Sequence, residues 1–225
     1  MVNILSEQQK QKRASKIAKV ALNLFQEKGF NQISMNEIAK GVGMSKGSLF
    51  NYYQTKENLF MTLLLTGYQQ YFKSLISELK QKPLETKQDL VDFLIQQITV
   101  LVQDHSTLIR LNSLRGPILE TKASLTETIK SRQKLYDVSS QLSALIHDQL
   151  PELSTDKINH IFLIQSAVIS GLMNLSGLNQ FNHQQTYQNL TDFQINVTAE
   201  ATTVFKGYLN EILGENKNDT SKTNS

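Results

Sequence analysis

Residues Ser45–Phe60 read SKGSLFNYYQTKENLF, and the fold turns on what this run builds. A small hydroxyl residue opens it, as at a helix N-cap. A lysine beside a glycine follows, then three aromatics in four positions, Phe50, Tyr52 and Tyr53. Thr55 caps again and Lys56-Glu57-Asn58-Leu59-Phe60 starts another helix. The spacing predicts a short helix from Ser45 to about Tyr53, with Leu49 and Tyr53, four apart, turned inward.

Just upstream, Ser34-Met35-Asn36-Glu37 has the form of a capping box, with Ile33 and Ile38 placed as a hydrophobic staple. The helix it opens ends near Gly43, a residue that takes positive φ without strain. Two short helices around a tight glycine turn make a helix-turn-helix, whose second helix enters the major groove of DNA. Ala39 is small enough for the two helices to approach. Ser45, Lys46, Gly47 and Ser48 form the first turn of the reading helix, where backbone amides and the positive dipole end suit a phosphate. Asn51 is suited to reading an adenine, Phe50 to touching a thymine methyl and Tyr52 to holding a phosphate through its hydroxyl. Ser34 is counted in the same DNA-facing set. Lys56 sits badly for its own helix dipole, and a phosphate beside it is the expected reason.

The bulk of the chain agrees. Its 225 residues carry a net charge of only +3, but residues 1–68 hold nine Lys+Arg against four Asp+Glu, while residues 69–225 hold fourteen against sixteen. A basic first third fits a polyanion partner. There are no cysteines, which fits a reducing cytosol and excludes thiolate metal sites and cysteine nucleophiles. No signal peptide is expected from residues 1–20. Pro83, Pro117 and Pro151 punctuate helical periodicity, so the expected fold class is all-α. A first helix at about 7–28 carries the stripe Ile17, Ala21, Leu24 and Phe25. After the helix from Lys56 to about Lys80, others are expected at 87–104, 106–115, 119–149, 155–178 and 187–213. Three regions follow: a helix-turn-helix domain at 1–65, a helical ligand-binding and dimerisation domain at 66–214, and a disordered tail at 215–225.

Residues 158–191 contain no Asp, Glu, Lys or Arg. The stretch 161–178 is long enough to span a membrane, but Gln165, Ser166, Ser170, Asn174 and Ser176 interrupt it. A helix buried against its own core and a second subunit fits better. The expected homodimer interface is Ile161, Phe162, Val168, Ile169 and Leu172, with Val197, Val204 and Tyr208 from the last helix.

The chemistry of an enzyme is not visible. His105, His147, His160 and His183 lack metal-site spacing on one helix face, and there is no phosphate-binding glycine loop or nucleophile elbow. No metal or cofactor is called for. A helical protein-interaction module, or an enzyme with an incidental basic N-terminus, remains the alternative that salt-dependent duplex binding would separate.

The run Ile38-Ala39, Gly43-Met44-Ser45-Lys46-Gly47-Ser48-Leu49-Phe50-Asn51-Tyr52-Tyr53 and Lys56-Glu57-Asn58-Leu59 resembles the TetR family of bacterial transcriptional regulators over about residues 10–65. Phe50 stands where that family most often has tyrosine, and Asn51 where histidine is frequent. The resemblance implies a homodimeric repressor in the cytoplasm, released from a palindromic DNA operator by an unidentified small molecule held in the C-terminal body. The helix from Lys56 to Lys80 is then the lever, with Leu63, Leu64, Tyr68 and Phe72 on its inner side. Tyr68, Arg110, Asn112, Arg115, Tyr136 and His147 are the candidate ligand-lining residues, and the two arginines suit an anionic ligand.

Overall fold

The structure, a computed structural model, describes residues 7–176 and 194–214. The described residues contain helices and no strand. They run α1 (Glu7–Lys28), α2 (Met35–Val42), α3 (Lys46–Phe50), α4 (Lys56–Gln81), α5 (Lys87–Gln103), α6 (Ser106–Ser113), a π-helical turn (Arg115–Leu119), α7 (Glu120–Lys122), α8 (Leu125–Gln149), α9 (Thr155–Ser176) and α10 (Val197–Leu213). The all-α expectation holds.

The chain divides into two compact units that interleave along the sequence. One comprises residues 1–73 and 111–138, the other 74–110 and 139–225. The chain therefore crosses from one to the other inside α4, α6 and α8. The sequence division at residue 65 draws a single line instead.

The first unit is built on α1 to α4. Ile17, Ala21 and Phe25 on α1 are buried, and the α1 stop is made by Gly29 at φ +74°, whose amide bonds the Phe25 carbonyl at 3.0 Å. The Phe25 and Phe30 rings lie 5.7 and 5.3 Å from Phe60, the latter edge-on, and so tie the end of α1 to the start of α4. Gly41 lets α1 and α2 approach closely. A Cβ there would lie 2.7 Å from Val20 Cγ1.

The expected helix over 119–149 is in fact interrupted. Pro117 lacks an amide hydrogen, and the chain widens there into the π-helical turn, where the Leu119 amide reaches back to the Leu114 carbonyl. After α7 the chain is extended at Ala123, and Ser124 caps α8 afresh, its Oγ accepting from the Glu127 amide. The expected helix over 106–115 stops at Ser113 for the same reason.

In the second unit α5, α9 and α10 pack together. Thr86 and Asp89 form the expected capping box at the start of α5. The core includes Leu90, Leu94, Ile98, Ile161, Ile169, Phe205 and Leu209. Buried Gln165 donates to the Leu94 carbonyl at 2.9 Å, and Gln149 bridges the Leu84 amide and the Leu79 carbonyl. Helix α9 is long and apolar enough to cross a membrane by length and composition. Its Ile158, Ile161, Phe162, Gln165 and Ile169 face the unit's own core. The last helix begins at Val197, not 187, because the Asn196 side chain caps it by accepting from the Ala199 amide. Residues 177–178 and 187–193 of the expected helices and the expected tail at 215–225 lie outside the described residues.

Candidate nucleic-acid interface

Helices α2 and α3 meet at a corner that their own end residues define. Ser34 Oγ accepts from the Glu37 amide, and the Glu37 carboxylate accepts from the Ser34 amide at 2.9 Å and from its hydroxyl at 2.8 Å. Lys28, in the last turn of α1, also bonds this carboxylate. Hydrogen bonds from Lys28 and then from Ser34 hold the Glu37 pKa down at about 2. The sequence signalled the box but not its link to α1. Ser34 is thus occupied in capping α2. Gly43 ends α2 at φ +75°, its amide bonding the Lys40 carbonyl. Ser45 then caps α3, accepting from the Ser48 amide at 3.1 Å, while the two serine hydroxyls lie 2.8 Å apart.

Leu49 is completely buried and pins α3 to the unit's core, as its spacing requires. Tyr53 is half-buried, and burial raises its phenol pKa. The opposite side is open. Ser45, Lys46, Gly47, Phe50 and Asn51 are exposed, and Ser48 and Tyr52 half-buried. The Lys46 ammonium sits 5.6 Å from the Phe50 ring centroid, so one cation and one aromatic edge form a joint surface.

Lys56 departs from expectation. Its ammonium donates to the Phe30 carbonyl at 2.8 Å and the Ile33 carbonyl at 2.9 Å, and lies 4.2 Å from the Phe30 ring centroid. Burial lowers its pKa; Glu57 opposes that shift, and Lys122 adds to it. The partner that the sequence reading sought in a phosphate is therefore inside the fold. Lys56 satisfies the loose carbonyls of the α1–α2 corner and fixes it to the start of α4.

Sequence reasoning missed Asn58. This buried amide, 2% exposed, accepts from the Ser124 amide at 2.7 Å and donates to Glu127. Three turns further along α4, buried Gln69 donates to the Ser131 carbonyl at 2.9 Å. Nothing in the sequence marked these two as partners of α8, because the contacts join residues more than sixty positions apart.

The ligand candidates fall in both compact units. Tyr68 is buried in the first unit, its ring 5.9 Å from that of Phe72. Tyr136 is 55% exposed. Arg115 pairs with Glu120, which Arg132 also grips with two bonds of 3.1 and 2.7 Å. Asn112 is half-buried in the same unit. In the second unit Arg110 is exposed, and His147 Nδ1 bonds the Leu153 carbonyl at 2.7 Å. Two grooves there, of about 460 and 510 Å³, are lined by residues 194–198 with Val102 and by residues around Pro83; neither includes Arg110 or His147. Among the described residues no group of three or more histidines and carboxylates could hold a metal.

The proposed interface residues divide in two. Ile161, Phe162, Ile169 and Val197 are buried within the unit's own core. Val168, Leu172 and Tyr208 are half-buried and Val204 is exposed. The large apolar residues left uncovered on α9 are Leu163 and Leu175, which the expectation omitted. Periodicity located the apolar helices but could not tell the inward face from the outward one.

Comparison with known proteins follows this geometry. Residues 17–63 match the family described as "Bacterial regulatory proteins, tetR family", and residues 65–210 match "Tetracyclin repressor-like, C-terminal domain". The chain belongs to the TetR family. It is thus a helix-turn-helix, DNA-binding transcriptional regulator. It is 24% identical over 130 residues to the fatty acid metabolism regulator protein of Bacillus subtilis, covering 57% of this chain and 66% of that one. It is 45% identical over 49 residues to the regulator QacR of Staphylococcus aureus, covering 22% and 26%. The chain thus spans less than two thirds of the curated relatives it matches. Among solved structures, a TetR regulator from Rhodococcus sp. RHA1 superposes with a TM-score of 0.55 at 14% identity, covering 92% of this chain and 98% of that one. FadR from Bacillus subtilis, solved in complex with stearoyl-CoA, superposes with a TM-score of 0.51 at 17% identity, covering 87% and 97%. At these identities the likeness is one of fold.

Proposed function

We propose that this TetR-family regulator is a homodimeric, sequence-specific repressor in the cytoplasm, released from a palindromic operator by a small molecule. The observation that carries the DNA-reading part is α3: five residues capped by Ser45, anchored by Leu49, with Lys46, Gly47, Phe50 and Asn51 exposed. In this reading Ser45, Lys46, Gly47, Ser48 and Tyr52 hold phosphate or sugar, and Phe50 and Asn51 read base edges. Residues 1–65 do the reading and 66–214 hold the effector and the second subunit. Lys56 and Ser34 act by holding the corner rigid.

A second copy is the partner that suits α9 and α10. Leu163, Ala167, Gly171 and Leu175 recur along one exposed side of α9, and Val204, Gly207 and Tyr208 along α10. Two such helices from each subunit make a four-helix interface, and two-fold symmetry then demands a two-fold operator. A long-chain acyl-CoA is the first effector class to test, because FadR of Bacillus subtilis was solved with stearoyl-CoA and a relative is a fatty acid metabolism regulator.

Selecting bound duplexes from a random pool tests the proposal. A palindromic consensus, released by stearoyl-CoA but not by free stearate, is the expected outcome. Enrichment of no sequence would remove the specific-reader reading. A palindrome that no acyl-CoA releases would remove only the effector class.

A further inference from the structure

The compact unit that carries α3 is not confined to the helix-turn-helix. It also takes in residues 111–138, and this changes its charge. Residues 1–73 and 111–138 together hold 15 Lys+Arg against 7 Asp+Glu, a net charge of +8. The other unit holds 8 against 13, a net of −5. The structure therefore sorts charge more sharply than a linear cut does, and segment 111–138, with Arg115, Lys122, Lys130, Arg132 and Lys134 against Glu120, Glu127 and Asp137, falls on the basic side.

Inside this segment the basic groups are not equivalent. Arg115 and Arg132 are spent on Glu120. Lys122, Lys130 and Lys134 are exposed and make no hydrogen bond or ion pair among the described residues, and of these three Lys130 alone lines the groove beside α3. It stands on the rim of a groove of about 430 Å³ lined on one side by Phe50, Asn51, Tyr52, Tyr53 and Gln54, where the chain leaves α3, and on the other by Glu127, Lys130 and Ser131 of α8. Asn58 also lines this groove, and its bond from the Ser124 amide, with that of Gln69 to the Ser131 carbonyl, ties α8 to α4.

We infer that Lys130, which lies outside the helix-turn-helix, contacts the phosphate backbone of the same DNA that α3 reads. This rests on α3 being the reading helix. DNA seated on Phe50, Asn51 and Tyr52 runs along the mouth of the groove, and an unpaired ammonium on the far rim meets a strand flanking the bases. Such a contact adds affinity and orientation but no base preference. Each protein phosphate contact releases condensed counterions, which makes the contribution readable as salt dependence.

The test uses the full-length protein with the duplex enriched by selection and a shuffled duplex of equal length, titrated at several salt concentrations. Lys130→Ala is expected to lower the slope of log K against log salt by about one per bound protomer on both duplexes, with the selected consensus unchanged. Lys130→Arg is expected to retain the parent slope. Lys134→Ala, one turn further along α8, away from the groove, is expected to retain it as well. If Lys130→Ala keeps the parent slope while Lys46→Ala loses it, the inference is overturned and α3 remains the reader. A loss equal in Lys130→Ala and Lys134→Ala overturns it too, since the effect is then the general field of the unit. A parent protein with no salt-dependent duplex binding sinks the reading of α3 itself, a failure distinct from that of Lys130.

Discussion

The α2–α3 corner and the α9–α10 pair are held by different physics. At the corner, polar end groups do the positioning: Ser34 with Glu37, Ser45 with Ser48, and Lys56 on two carbonyls. In the pair, apolar side chains do it, with Ile169, Ala201, Phe205 and Leu209 fully buried. Directional bonds fix an orientation with few residues, which suits a short helix that must present its side chains outward. Area burial fixes a helix only by covering it, so a long helix covered on one side leaves apolar surface on the other. Leu163, Leu175 and Val204 are that surface.

Substitutions sharpen this contrast, and the largest effect is expected in the apolar pair. Ile169→Ala should cost about 3 kcal/mol in denaturant unfolding, since it empties a fully buried site. Val204→Asp, on the same two-helix assembly but exposed, should leave protomer unfolding within about 0.5 kcal/mol. It should instead shift the mass measured by light scattering from dimer to monomer, and equal destabilisation by both variants would erase the distinction between the two faces.

In the same unit as the corner, where α4 meets α8, Asn58→Leu should cost about 2 kcal/mol, because the Ser124 amide and the Glu127 carboxylate lose their buried partner. Unfolding monitored by circular dichroism checks this. Gly43→Val should cost about 1–2 kcal/mol through forced positive φ alone, as no heavy atom lies within 4 Å of the added Cβ. A parent-like variant would mean that the turn relaxes.

The smallest effect is the most diagnostic of polar positioning. Glu37 has a folded pKa of about 2 against an ordinary 4.5, so its contribution is complete above 4.5 and fades as pH falls toward 2. Glu37→Gln should flatten the acid limb of the stability profile in that window. An unchanged acid limb would mean that other carboxylates govern it.

These two regions were unequally legible in the sequence. Cap residues act on neighbours three or four positions away, so Ser34, Glu37, Gly43, Ser45 and Leu49 announced the corner directly. Lys56 was visible as an oddity, but its partners lie 23 and 26 residues upstream and no local rule points to them. The inner and outer faces of α9 were not distinguishable, because Ile161 and Leu163 are alike in chemistry and differ only in what the folded chain sets beside them. The break before α8 had signals in Pro117 and Ser124, which the apolar periodicity of the longer stretch outweighed.

The clasp at Asn58 has a bearing on how such regulators are recombined. A reading head cut from this chain at residue 65 and grafted onto a different body would leave behind Ser124, Glu127 and Ser131. The amide of Asn58 would then face whatever the host supplied, and the bond that Gln69 makes to Ser131 would stay with the discarded body. A transplant that keeps its operator preference has to bring the start of α8 with it, so the exchangeable part here is a patch of surface-sharing helices and not a length of chain.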